Sequence, residues 1–472
     1  MHKHPANIAV TALTYDVVVI GAGVVGCAVA RRFALEGARV LVLEKAVDIL
    51  DGASKGNSGI LHTGFDAPPN SLEQRCIEAG YREYMEIRER LDLPLLETGA
   101  LVVAWTPEEE AKLDGLMNKA RTNGVGDVER LTTGQITTKE PHLSSVLVGG
   151  FHVPGEFVID PWTAPFTYLL QAMENGAEVL RNTEVTTGQF DGDLWHLETN
   201  SGTIKARTVI NCGGLYGDHI DAVLLQETSF QIRPRKGQFV VFDKPASALV
   251  SSIILPVPTE ITKGVVICRT IFGNVLVGPT AEEQESRDDA SVDSDALRGL
   301  HQKALEIIPA LASCTITATY AGLRPATEHK DYCIRHHSDK NYVSVGGIRS
   351  TGLSSALGIA SYVFEQYRSS GIRHEPVTPC VWPRVAPIAE DAIRDWQKPD
   401  NDGIVCHCEL VTRREIDRAL AGPLGAASLS GLKRRTRATM GRCQGFYCSA
   451  QLGEMTTDRF DEPIGVPHAD NT

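Results

Sequence analysis

The chain has 472 residues, 42% of them hydrophobic and 22% charged, a balance typical of soluble, folded protein. That length exceeds one ordinary core, so two or three domains are expected. The net charge of −13 lacks the basic footprint that nucleic acid needs, and no run approaches the ~20 apolar residues of a membrane span.

The first residues, MHKHPANIAVTALT, lack a basic start, an apolar stretch and a small-residue cleavage site, so no secretion signal is expected. The expected compartment is the cytoplasm, with a place at the inner face of a membrane left open. Tyr15 to Ile20 (YDVVVI) reads as a buried strand, followed by Gly21-Ala22-Gly23-Val24-Val25-Gly26 and a helical stretch ending at Gly37. Arg39 to Leu43 is a second strand, closed by Glu44. In this βαβ unit Gly21 makes the tight turn, Gly23 admits a pyrophosphate to the backbone, and Gly26 lets helix and strand pack closely. Val24 and Val25 open the helix whose N–H groups meet the anion. Glu44 suits the ribose hydroxyls. Lys45, beside it, and Val185 are counted with the cofactor-binding positions.

The motif alone does not separate FAD from NAD. The next segment, Gly52-Ala53-Ser54-Lys55-Gly56-Asn57-Ser58-Gly59-Ile60-Leu61-His62-Thr63-Gly64, resembles the flavin-proximal loop of the D-amino-acid oxidase and glycerol-3-phosphate dehydrogenase superfamily. The resemblance implies that Ser54, Asn57, Ser58, Gly59 and Leu61 serve FAD. Thr208 to Gly214 (TVINCGG), with Gly213, resembles the strand and turn that return to the cofactor. Tyr342 to Ala360 resembles the last strand and a helix aimed at the flavin, with Gly347, Gly352 and Leu353 at the cofactor. A helix N-terminus there stabilises the charge of a reduced flavin.

The same resemblance supplies the candidates for chemistry. His62 matches a histidine near the flavin that takes the hydroxyl proton, a task suited to neutral imidazole; the competing reading is a purely positional histidine. Lys263 matches a substrate-facing lysine. Arg324 matches the arginine that grips an anionic group, where a planar guanidinium suits carboxylate or phosphate. Arg349 and Ser350, beside the last flavin loop, are further substrate candidates. Related hydroxyglutarate enzymes often carry a histidine where this chain has Gly56.

Residues 66–150 include a helical, charged stretch expected to pack beside the FAD domain, with cap insertions around it. Residues 226–335 read as an antiparallel cap: Arg233 to Gln238 precede a strand FVVFD, and two later strands join at Gly273-Asn274.

Eleven cysteines are present, seven of them scattered and expected to act as small buried hydrophobes. The other four form Cys406-x-Cys408, a helical span, then Cys443-x-x-x-x-Cys448. Four thiolates on two loops suit an iron–sulfur cluster or structural zinc, whose pairs are more often spaced C-x₂₋₄-C. Thr412-Arg413-Arg414-Glu415 is a capping box that starts a helix between them. A second helix is expected from about Leu429, with Gly441 as its stop. The run Lys433, Arg434, Arg435, Arg437 is expected to be a solvated face. GLKRRTRATMGRCQGFYC resembles bacterioferritin-associated ferredoxin and the end of the anaerobic glycerol-3-phosphate dehydrogenase large subunit, which implies a 2Fe–2S cluster.

The fold class expected is an α/β FAD-binding Rossmann-type domain (14–225 and 336–370), an α+β antiparallel-sheet cap for substrate (226–335), a linker (371–402) and a small helical 2Fe–2S module (403–460). The activity implied is FAD-dependent oxidation of a secondary alcohol on a small anionic substrate, foremost sn-glycerol 3-phosphate. The alternatives are a 2-hydroxy acid such as L-2-hydroxyglutarate, an amino acid or opine, and a role as a non-catalytic electron-transfer subunit. Expected partners are an electron-acceptor protein or quinone-linked subunit, with a homo- or hetero-oligomer left open.

Overall fold

The computed structural model describes residues 13–258, 264–460 and 463–464. Its first sheet is built on Thr14–Ile20, which runs parallel to Val40–Leu43 on one side and Gly202–Asn211 on the other. The run Val17–Ile20 of this strand is apolar and buried because it has no wet face. Val17 and Val19 enter one core, while Tyr15, Val18 and Ile20 enter the other, as both faces of a covered parallel sheet require. Glu178–Leu180 and Tyr342–Gly346 extend the parallel set, and the ribbon Val185–Phe190 with Trp195–Thr199 adds an antiparallel edge. Helices Val24–Leu35, Thr163–Glu174 and Gly352–Ser369 cover one face. Leu72–Ile87 packs outside Gly352–Ser369 with backbones almost touching: a Cβ on Gly358 would lie 2.1 Å from the Cys76 carbonyl oxygen.

The second sheet has nine strands, and its spine is the long antiparallel pair Ile232–Phe242 and Ile316–Thr327. Arg233 to Gln238 lie inside the first of these strands rather than before it, and Arg235 sits directly opposite Arg324. Val266–Arg269 and Val275–Gly278 pair as expected around a turn in which Gly273 adopts φ +81°. Three further strands, Ala100–Ala104, Glu129–Leu131 and Gly149–Val153, join this same sheet. Residues 66–150 therefore divide: helix Leu72–Ile87, Leu91 and Leu93 lie against the nucleotide domain, and Ala100–Ala104, Glu129–Leu131 and Gly149–Val153 build the cap. ALVVA is apolar at each position because Leu101 and Val103 bury into one core and Ala100, Val102 and Ala104 into the opposite one.

Residues 371–402 form no strand and one short helical turn, Asp395–Gln397, yet they are strapped to the body. Val377 N–H donates to the Leu35 carbonyl at 2.9 Å, and Ile388 and Ala389 enter a core of the second sheet. The last module holds a two-strand hairpin (Ile404–Cys406, Val411–Thr412) and helices Arg413–Leu420, Leu429–Thr436 and Ser449–Met455. Thr412 and Glu415 form the reciprocal cap read from the sequence. The second helix stops five residues before Gly441, where Arg437 turns left-handed (φ 67°) and closes its end.

The basic run is not a solvated face. Arg434 reaches Asp51 at 3.1 Å, Arg435 reaches Asp48 at 2.6 Å, and Arg437 reaches Glu409 at 2.8 Å, all with nearly buried guanidinium groups. Asp48 also accepts from Ala427 N–H at 3.0 Å. Arg434 and Arg435 clamp the C-terminal module onto the loop after the second strand, while the Arg437–Glu409 pair lies within the module. Such burial of charge is tolerated because each guanidinium is answered by a carboxylate.

Candidate functional site

One cavity of about 1470 Å³ runs between the first sheet and the cap. At its nucleotide end the backbone leaves no room for side chains. A Cβ on Gly26 would lie 1.9 Å from the Gly21 carbonyl oxygen, and one on Gly21 (φ +102°) would lie 2.6 Å from that of Cys212. Gly23, the helix N-cap, supplies no capping side chain, and Gly23, Val24 and Val25 line the cavity. Ser54 Oγ accepts from Val24 N–H at 2.9 Å, tying the flavin loop to the helix start. Glu44 closes this end: its two oxygens accept from Ala22 N–H (2.7 Å) and Ala46 N–H (2.9 Å), and burial pushes its carboxyl above the usual range. Lys45 lies over the Tyr216 ring, 3.5 Å from its centroid. Val185 and Gly213 line the same end.

The loop Ser54–Gly59 is held by its own polar groups. Asn57 donates to the Ser54 carbonyl (2.9 Å) and accepts from Gly59 N–H (2.7 Å). Tyr320 of the cap donates to the Asn57 carbonyl at 2.8 Å, and a Cβ on Gly56 would lie 2.8 Å from Gly322 Cα. A histidine side chain at that position would not fit this backbone. Ser54, Asn57, Ser58, Gly347, Gly352 and Leu353 line the cavity; Gly26, Gly59 and Leu61 do not. Leu61 instead faces the apolar core at 0% exposure, so it is no cofactor contact through its side chain. Open space at a helix start whose N-cap is a glycine, a part-buried acid at the strand end and a second helix start at Gly352 fit a dinucleotide such as FAD.

His62 lies on the cavity wall with its side chain 21% exposed. Its N–H donates to Ser354 Oγ (2.8 Å), and its Nδ1 lies 2.7 Å from Oε2 of the fully buried Glu156. Sequence reading missed Glu156, a lone acid between two apolar strands, with nothing local to name its partner. Arg324 lines the same cavity, and among the described residues no carboxylate pairs with it. Its contacts are two long approaches to the Thr280 carbonyl, at 3.4 and 3.5 Å. Burial, and then the charge of Arg235, lowers its guanidinium to about 10. A half-buried cation left in this state, facing the cavity, calls for an anion. Arg349 and Ser350 also line the cavity, but Arg349 is already engaged by Glu73 (3.8 Å) and the Lys330 carbonyl (2.5 Å). Lys263 lies outside the described residues.

The four C-terminal cysteines meet in two pairs: the Cys408 thiol contacts that of Cys443, and the Cys406 thiol contacts that of Cys448. Among the described residues no three His, Cys, Asp or Glu side chains are arranged around a single ion. Four thiols gathered from two loops suit a 2Fe–2S cluster. Backbone N–H groups of Tyr447, Gly445 and Phe446 point at the Cys443 sulfur and hold its thiol below the usual range, as a bound anionic cluster also needs. Burial pushes the Cys448 thiol up to about 12.

No described helix is long and apolar enough to cross a membrane. The family described as FAD dependent oxidoreductase matches residues 16–366, and the BFD-like [2Fe-2S] binding domain matches residues 404–455. A glycerol 3-phosphate dehydrogenase of Caloramator mitchellensis is 32% identical over 450 residues, covering 93% of each chain. An anaerobic glycerol-3-phosphate dehydrogenase subunit of Escherichia coli K12 is 25% identical, over 92% of this chain and 86% of its own. The solved L-α-glycerophosphate oxidase of Mycoplasma pneumoniae with FAD bound superposes with a TM-score of 0.73 at 27% identity, over 79% of this chain and 99% of its own. Glycine-rich cradle, two thiol pairs and these matches converge: the chain belongs to the FAD dependent oxidoreductases, and carries a 2Fe–2S domain behind its flavin domain.

Proposed function

We propose that this enzyme oxidises sn-glycerol 3-phosphate to dihydroxyacetone phosphate. The observation that carries the reading is Arg324, a half-buried guanidinium with no carboxylate partner among the described residues, in one cavity with His62. Bound FAD supplies a two-electron acceptor for the hydride on the carbinol carbon, and the cluster supplies one-electron steps toward an outside acceptor. Arg324 holds the phosphate and thereby orients the secondary alcohol. His62 takes the hydroxyl proton as the carbonyl forms. The cap strand that carries Arg324 also buttresses the flavin loop through Tyr320 and Gly322, so anion grip and cofactor loop are held by one rigid element. Cys406, Cys408, Cys443 and Cys448 would hold the cluster, from which electrons would leave for a partner protein or quinone-linked subunit on the cytoplasmic face of a membrane. The relatives named for glycerol 3-phosphate support the substrate.

Anaerobic bleaching of the flavin spectrum tests this reading. Glycerol 3-phosphate is expected to bleach at low concentration, while L-2-hydroxyglutarate, glycine and proline leave the spectrum unchanged. Bleaching by the 2-hydroxy acid alone overturns the substrate and keeps the chemistry, since Arg324 suits a carboxylate equally.

A further inference from the structure

We propose that Glu156 is the positioning residue for His62, fixing the imidazole with its proton on Nδ1 and leaving Nε2 as the acceptor. This rests on the reading of His62 as the group that takes the substrate proton. The pair is produced by strand register. Ile60–Leu61 runs antiparallel to Phe157–Ile159 with Leu61 opposite Phe157, so the next residues outward, His62 and Glu156, fall side by side although they are 94 apart in sequence.

Glu156 is fully buried, and its donors account for both oxygens. Oε1 accepts from Thr63 N–H at 2.6 Å and Thr63 Oγ at 2.8 Å, and Oε2 lies 2.7 Å from His62 Nδ1. A carboxylate can only accept, so Nδ1 carries the hydrogen. Among the described residues no bond is made to Nε2, on a side chain that lines the cavity. The loop bearing Glu156 is itself pinned, with Tyr81 Oη donating to the Gly155 carbonyl at 2.9 Å. A Cβ on Gly155 would lie 3.0 Å from Thr63 Cγ2, so the loop approaches as closely as a glycine permits.

No lysine or arginine among the described residues pairs with Glu156, so the imidazole is its one candidate cation there. The proton balance follows. The alcohol proton moves to Nε2, and the O–H electron pair becomes the second C–O bond. The hydrogen on the same carbon leaves with its electron pair to FAD. Glu156 keeps its charge and its Nδ1–H contact throughout, and stabilises the imidazolium that forms, as a buried carboxylate does behind a histidine base.

The test uses full-length, FAD-loaded protein with ¹⁵N-labelled histidine, the His62 signals being assigned by their loss in H62A. Wild type is expected to show the Nδ1–H tautomer, and E156D to keep it. E156Q is expected to lose that signature and to slow anaerobic flavin reduction by glycerol 3-phosphate by roughly 10²- to 10⁴-fold, with the half-saturating substrate concentration little changed. An unchanged tautomer and rate in E156Q, while H62A abolishes reduction, overturns the proposal and leaves the base reading standing. Wild-type reduction by H62A instead removes the base reading. The ¹⁵N signature of E156Q then decides the pairing alone: its loss upholds the positioning role, its retention overturns it.

Discussion

Replacing Arg324 with methionine should make the substrate-free protein more stable and the enzyme much worse. Burial and the facing Arg235 lower the guanidinium from its ordinary range to about 10, which corresponds to about 3 kcal/mol of charge held in an unfavourable place. Because the folded value is the depressed one, this cost is carried in full at every pH below about 10. It fades above about 10 and is absent once the unfolded group has also lost its proton. Methionine fills similar space without charge, so a net gain of about 1–3 kcal/mol is expected at neutral pH after lost packing is counted. Substrate reverses the balance. Losing a buried cation–anion contact costs about 2–5 kcal/mol, or on the order of 30- to 4000-fold in kcat/KM. The assay is a urea melt of the FAD-loaded protein, with and without glycerol 3-phosphate, beside steady-state kinetics. Saturating substrate at 100 times its Kd should add about 2.7 kcal/mol to the wild type and nothing measurable to R324M. A variant that melts earlier, yet keeps its catalytic efficiency and its protection by substrate, would refute the idea that this cation waits for an anion.

Gly237→Ala tests the same group indirectly. The added Cβ would lie 2.6 Å from Arg324 Nη2 and 2.9 Å from Pro279 Cβ, so the guanidinium must shift; KM should rise about tenfold with FAD content unchanged by absorbance. Asp48→Ala removes the 1%-exposed carboxylate that Arg435 and Ala427 N–H share. Stranding that arginine should cost about 3–5 kcal/mol, seen as faster protease cleavage within residues 371–402. Cys406→Ser should abolish iron, sulfide and the reduced-cluster EPR signal while substrate still bleaches the flavin, which separates chemistry at FAD from electron exit.

Much of this molecule is written in near neighbours. The turn at Gly21, the close contact at Gly26 and the acid at Glu44 lie within one βαβ unit, and each states a backbone demand that few residues meet. The cap made by Thr412 and Glu415 and the four-cysteine spacing are equally local. The expected stop at Gly441 failed because Arg437 takes the left-handed position itself, an outcome secured by its contacts with Glu409 and Asn274 rather than by propensity.

What local sequence determined, then, is a dinucleotide cradle and a four-thiolate site, because glycine geometry and thiolate chemistry act over a few residues; that they take FAD and a 2Fe–2S cluster came from family resemblance. Only the folded chain decided that Ala100–Ala104 belongs to the cap, since an apolar strand reads alike in any sheet. Only folding turned a basic run into a clamp on Asp48 and Asp51, more than 370 positions away. The same holds for Glu156 beside His62: a charge pair set by register across two strands has no local signature, because nothing in either segment alone is unsatisfied until the other arrives.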